Sequence, residues 1–155
     1  MRPSRARLED SKSERERRRQ FRGTARVSLD LLDFPLDAYR ELSRKNVDRL
    51  KGAFRREGCR REFVNNHILV IINQDSLDAA LEFSGVTATE LRTCPRDDYP
   101  ELRFRAGVRL TCLHGKHRVQ AGREFLSPRD KWWIADFYLD GENCNMRSYS
   151  VNVDD

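Results

Sequence analysis

The residues best placed to do chemistry in this chain of 155 residues are a glycine and three basic residues in succession, Gly115, Lys116, His117 and Arg118. They follow an alternating apolar run and precede a helical pattern that ends before Pro128, so we expect them at a strand-to-helix turn. The first N–H groups of a helix lack partners within it, and the helix dipole adds partial positive charge there. Since cations are unfavourable at that end, their presence predicts a bound anion, with phosphate as the best candidate.

Each residue type in this cluster suits a phosphate in its own way. Gly115 lets the backbone approach an anion closely. Arg118 can donate two parallel hydrogen bonds, and Lys116 supplies a mobile point charge. A solvated basic helix that follows a turn glycine would have the same sequence, and the residue types alone leave both interpretations open.

Catalysis would need an acid–base pair, and the sequence offers His117 with Asp136 for that role. Asp136 lies in the strongest strand pattern of the chain, residues 132–139. Its carboxylate is expected either near solvent at a strand end or paired with His117 or Arg118. A nuclease or phosphotransferase could use such a pair, so the sequence leaves open whether the protein is an enzyme.

The cysteines do not form a metal-binding pattern. Cys59, Cys94, Cys112 and Cys144 are widely spaced and include no CxxC pair, so we expect free thiols and no metal site. Cys112 is flanked by apolar residues and is expected to be buried and unreactive.

The elements that must position these residues alternate along the chain. Strands are expected at 27–31, 68–72, 108–113 and 132–139. Helices are expected at 46–57, from 75 or 76 to a stop at Gly85, and at 116–126. This order predicts an α+β fold, α/β-like, with a small mixed, partly parallel sheet and flanking helices. The apolar run at 68–72 is expected to form a central strand with parallel neighbours.

Charge is distributed unevenly between the tail and the body of the chain. Residues 1–22 hold nine Lys or Arg and four Asp or Glu, which accounts for the whole net charge of +5. We expect a disordered basic tail at 1–22 that could contact nucleic acid or import receptors, a folded domain at 23–141, and at 142–155 a frayed end or a further element. No secretory signal or membrane span is evident, which favours a nuclear or cytoplasmic protein without membrane contact. The oligomeric state is not indicated.

The seven residues GKHRVQA at 115–121 resemble the G-x-[HR]-R-x-x-A signature of the ParB/sulfiredoxin superfamily. In those proteins the signature opens a helix after a strand and holds nucleotide phosphates. The resemblance implies a nucleotide-binding module in a DNA-linked process, with a ligand of the CTP or ATP type and Mg²⁺. A non-catalytic interaction domain with a decayed site is the alternative.

Departures from that signature limit what it implies. Sulfiredoxins place a reactive cysteine where this chain has Lys116, and ParB proteins place Glu-Arg-Arg after the glycine. A second resemblance, carried by residues 113–118, 125–126 and 132–133 with 46–47 and 57–59 upstream, is to a fungal family of uncharacterised proteins. What carries over is phosphate contact by the residues at 115–118.

Overall fold

The computed structural model of the protein describes residues 14–35, 42–96 and 98–140, which form a mixed α+β fold. The fold class predicted from the sequence is therefore confirmed. The first 13 residues of the predicted tail, and the predicted C-terminal segment 142–155, lie outside the described residues. In the described part of the chain, no helix is long and apolar enough to cross a bilayer.

Five strands form one sheet in the order β1-β5-β3-β4-β2. Their bounds are β1 Phe21–Ser28, β2 Leu32–Asp33, β3 Ile68–Ile72, β4 Leu110–Cys112 and β5 Trp132–Leu139. The pairs β1–β5 and β3–β4 are antiparallel, whereas β3–β5 and β2–β4 are parallel. The sheet is mixed and partly parallel, as its element order predicts.

Strand β3 has the bounds predicted for it and lies in the middle of the sheet. Its run of β-branched and leucine side chains suits a strand that is paired on both edges. The expectation of parallel neighbours is met on one side by β5, while β4 on the other side is antiparallel. Chain direction at this edge is set by the connection between β3 and β4, which local sequence does not encode.

The described helices are α1 at residues 14–20, α2 Arg44–Glu57, α3 Gln74–Ser84, α4 Ala88–Thr93 and α5 Lys116–Phe125. Helix α2 begins two residues before the predicted start, because the side chain of Ser43 accepts a hydrogen bond from the N–H of Asn46. Helix α3 likewise begins after Asn73, whose side chain caps it, and ends at the left-handed Gly85. Caps therefore decide the starts that periodicity leaves uncertain.

Strand β1 begins at Phe21, earlier than the strand predicted at 27–31, and the expected domain boundary at 23 falls inside it. Residues Leu29–Leu31 instead form a 3₁₀ turn, since the hydroxyl of Ser28 accepts from the N–H of Asp30. The start of β1, residues 21–24, contains Gly23 and lacks a clear alternating pattern, so its strand character is not evident from local sequence. Its ladder of hydrogen bonds to β5 supplies the stability that local propensity lacks.

Alternation along β5 divides the sheet into two faces. Trp133 is fully buried on the face that α2 and α5 cover, where its ring lies 5.8 Å from that of Phe54. A Cβ built on Gly122 of α5 would approach the same ring to 3.3 Å. Trp132 and Asp136 alternate with Trp133 and therefore lie on the opposite face.

Candidate functional site

The predicted strand–glycine–helix turn is present in the structure. Strand β4 ends at Cys112, Gly115 adopts a left-handed conformation with φ of 91°, and α5 begins at Lys116. Glycine is the residue that takes up this conformation without strain. It also offers no side chain to cap the helix, and the first turn of α5 contains no acidic residue.

Gly115 is needed for packing as well as for the turn. A Cβ at this position would lie 2.4 Å from Cδ1 of Ile68, the first residue of β3. The start of α5 is therefore pressed against the centre of the sheet. The close approach of backbone that the sequence predicts at Gly115 is made, in this structure, to a core side chain.

His117 is 1% exposed and links helix α5 to the start of helix α2. Its Nε2 accepts a hydrogen bond of 2.8 Å from the backbone N–H of Ser43, the residue that caps α2. An imidazole nitrogen that accepts must be unprotonated, so Nε2 is engaged by the backbone in this arrangement. The contact gives His117 a role in positioning α2 that sequence pattern does not reveal.

Arg118 and Lys116 bring the positive charge to the helix start. Arg118 is only 6% exposed, whereas Lys116 is half-buried. A guanidinium is permanently charged and can donate two parallel hydrogen bonds to an anion. An anion at this end would contact the helix N–H groups and the side chains of Arg118 and Lys116 together.

An ion-pair network centred on Glu124, near the end of α5, joins α5 to α2 on the surface. Nη1 of Arg44 donates to Glu124 at 2.7 Å, its Nη2 also reaches that carboxylate, and Nζ of Lys51 lies 3.3 Å from it. Gln120 donates to Glu124 at 2.8 Å. The hydrogen bonds from Arg44 and then Gln120 are the main reasons that the pKa of Glu124 falls to about 2. The hydrogen bond with Glu124 is also the main reason that the pKa of Arg44 is raised.

Asp136 is not near this turn but on the other face of the sheet. Its Oδ1 accepts a 2.7 Å hydrogen bond from the hydroxyl of Thr24 and lies 3.0 Å from Nδ1 of His67. The structure thus separates Asp136 from His117, and the proposed acid–base pair of these two residues is not assembled. Within the described residues, the carboxylate of Asp136 contacts neither His117 nor Arg118.

A cavity of about 380 Å³ opens beside Asp136 and brings together residues that the sequence interpretation did not single out. Tyr99 and Tyr138 line it together with His67, whose ring meets that of Tyr99 edge-on at 5.5 Å. His67 precedes β3 and Asp136 lies within β5, so the parallel register of these strands places them side by side. The cluster of His67, Tyr99, Asp136 and Tyr138 could have been found only from the register of β3 and β5, which local sequence does not give.

The described cysteines are free thiols. Cys112 is completely buried on β4, and burial raises its pKa to about 12. Burial also raises the pKa of Cys59 and of Cys94. Among residues 14–35, 42–96 and 98–140, no group of three or more His, Cys, Asp or Glu could hold a metal ion, and Cys144 lies outside these ranges.

Comparison with known proteins gives one family. Residues 20–151 match the N-terminal domain of the family described as protein of unknown function (DUF3723). No curated protein and no solved structure matches the chain. The match agrees with the resemblance to an uncharacterised family, whereas the relation to the ParB/sulfiredoxin superfamily stays a hypothesis.

Proposed function

This chain belongs to the family described as protein of unknown function (DUF3723), through that family's N-terminal domain, and we propose that it binds the phosphate of a ligand at the start of α5. The observation that carries the proposal is the combination found there. A left-handed glycine opens the helix, acidic residues are missing from its first turn, and Lys116 and Arg118 add two positive charges. Bound phosphate is the chemistry that stabilises all three features.

A nucleotide is the ligand that the sequence signature favours. The residues at 115–121 resemble those that hold nucleotide phosphates in the ParB/sulfiredoxin superfamily, which supports a triphosphate of the CTP or ATP type with Mg²⁺. The buried Arg118 and the half-buried Lys116 would both contact the anion. Catalysis by His117 with Asp136 is not part of the proposal, since the sheet lies between them.

The proposal is tested by thermal unfolding of the full chain with inorganic phosphate, ATP or CTP, with and without Mg²⁺. A ligand present at 100 times its Kd stabilises the folded state by about 2.7 kcal/mol, which is readily measured as a rise in Tm. Lys116→Ala should weaken the affinity roughly tenfold, because it removes one charge-assisted contact. Arg55→Ala removes an equal charge from an exposed position near the end of α2 and should leave the affinity unchanged.

Two results would overturn the proposal. One is the absence of any shift with these ligands at millimolar concentration in protein shown to be folded. The other is a shift that persists undiminished in Lys116→Glu, since a carboxylate at that position should repel a phosphate. Lys116 is suited to this test because its half-buried side chain can change charge without opening the core.

A further inference from the structure

The sheet face opposite α5 carries a cavity of about 380 Å³ that the phosphate proposal does not use. Three kinds of group line it: the carboxylate of Asp136, the aromatic rings of Phe21, Tyr99 and Tyr138, and a guanidinium from Arg18 of α1. Its volume is in the range of sites for small organic ligands. A ligand that suits all three kinds of group must combine a hydrogen-bond donor, a flat ring and a negative charge.

Among the described residues, the carboxylate of Asp136 is held through Oδ1, and its Oδ2 has no hydrogen-bond partner. Oδ1 accepts a hydrogen bond from the hydroxyl of Thr24 and lies 3.0 Å from Nδ1 of His67, and the opposite nitrogen of His67 lies 3.1 Å from the carbonyl of Glu62. The contacts with Thr24 and His67 orient the carboxylate of Asp136. Since the side chain of Asp136 is 21% exposed, Oδ2 presents a fixed acceptor at the cavity.

The aromatic side chains supply a surface for a flat ring. The rings of Phe21 and Tyr138 lie 5.3 Å apart and are tilted by 55°, and Tyr99 meets the ring of His67 edge-on. Stacking of a nucleobase on such rings is worth roughly 1–3 kcal/mol per base and tolerates any base. Selection among bases must then come from the acceptor at Asp136.

The cavity contains groups of both signs, the carboxylate of Asp136 and the exposed guanidinium of Arg18. An ammonium or a methylated lysine would suit the aromatic rings and the carboxylate but would be repelled by Arg18. A nucleotide suits all of these groups, since its base can meet the rings and the carboxylate while its phosphate contacts Arg18.

We infer that this cavity binds a nucleotide whose base donates an exocyclic amino group to Oδ2 of Asp136, with its ring among the tyrosines and its phosphate at Arg18. The nucleotide is either free or part of a single strand, because both present the same base and phosphate. This site is separate from the one at Gly115, on the other side of the sheet.

The sharpest test compares the affinities of two pairs of nucleosides, in each of which one base has an exocyclic amino group where the other has a carbonyl. Cytidine should bind more tightly than uridine, and adenosine more tightly than inosine, by roughly tenfold, because a hydrogen bond to a charged acceptor is lost. In Asp136→Asn, Oδ1 remains with Thr24 and His67, and the amide nitrogen replaces Oδ2. The free acceptor becomes a donor, so both preferences should reverse. Calorimetric titration of the full chain measures the four affinities.

Nucleosides lack a phosphate, so this experiment reports on the cavity independently of the site at Gly115. Arg55→Ala, at an exposed position of α2, is the matched surface control and should preserve both preferences. The inference is overturned if none of the four nucleosides binds. It is equally overturned if Asp136→Asn leaves the preferences as they are in the unaltered chain.

A second pair of measurements identifies the source of the nucleotide. Arg18→Ala should weaken binding of cytidine monophosphate several-fold while leaving cytidine unaffected, since only the former has a phosphate to contact. An oligocytidine that binds much more tightly than the monophosphate, with strong salt dependence, assigns the site to single strands. Equal affinity assigns it to free nucleotides. If Arg18→Ala changes the affinities for cytidine and for cytidine monophosphate by the same factor, the phosphate does not lie at Arg18.

Discussion

At the scale of single residues, Gly115 does two things that the sequence shows only in part. Its place before three basic residues predicted the turn, and the structure has that turn with φ of 91°. Its contact with Ile68 could not be predicted, because it depends on where β3 lies relative to α5. His117 is similar: its residue type indicated chemistry, while the fold uses its Nε2 to hold the backbone of Ser43.

Gly115→Ala should therefore be destabilising for two reasons that can be separated. The left-handed conformation costs an alanine about 1–3 kcal/mol, and the 2.4 Å approach of its methyl group to Ile68 adds overpacking of similar size. Gly107 has φ of 87° and no atom within 4 Å of a built Cβ. In urea unfolding, Gly107→Ala should lower the free energy of unfolding by the backbone cost alone, and therefore by less than Gly115→Ala.

The contact with Ile68 can be isolated by a double-mutant cycle. Ile68→Val removes Cδ1, the atom that the new methyl group would meet, so the two changes together should cost less than their sum. A coupling free energy of about 1 kcal/mol is expected for two residues in contact. Additive effects, or equal losses for Gly115→Ala and Gly107→Ala, would show that the approach of α5 to β3 is looser than described.

At the scale of elements, the sequence predicted what its periodicity encodes. The bounds of β3 and β5 were predicted to the residue. Strand β1 was predicted late because its first residues, 21–24, include a glycine and lack a clear strand pattern, and they owe their conformation to β5. The cavity beside Asp136 could not be predicted, since it depends on strand register rather than on local pattern.

The stability contributed by packing of α5 on α2 should depend on pH, because Glu124 is charged only above its pKa. Its pKa is about 2 in the folded protein, below its ordinary value of 4.5, so its stabilising effect is complete above pH 4.5. The effect is lost as the pH falls through about 2. The Tm of Glu124→Gln should therefore lie below that of the unaltered protein at pH 7, and the gap should narrow towards pH 2.

Glu57→Gln is the matched control, because Glu57 is exposed at the end of α2. Its Tm should follow that of the unaltered protein over the whole range of pH. A gap for Glu124→Gln that is constant between pH 7 and pH 2 would mean that the ion pair with Arg44 does not act through the charge of Glu124. High salt should also reduce the gap, since the pair is exposed to solvent.

At the scale of the whole molecule, the sheet order sets how stability is distributed. Strand β3 is paired with β5 on one edge and β4 on the other, and four of its five residues are buried. Strand β2 has two residues and lies at the edge. Local opening is least favourable where both edges are paired and the contacts are apolar.

Hydrogen exchange should follow that distribution. Amides of Ile68–Ile72 are expected to exchange most slowly, together with the middle of β5, and those of Leu32–Asp33 among the fastest of the strands. Mass spectrometry of peptides from the full chain at pH 7 would measure this order. Exchange in β3 as fast as in the short helix α4 would contradict the central position of that strand.

The pairing of β1 with β5 also has a consequence for how the protein is made. Thr24 and Asp136, which face each other across these strands, are 112 positions apart in the chain. At ordinary rates of translation, a ribosome needs roughly 6–22 s to synthesise that interval. Over that interval the nascent chain holds β1, and later β3 as well, without the strand that joins them. Chaperones that shield unpaired strand edges are therefore expected to act on this protein during synthesis, before the sheet can close.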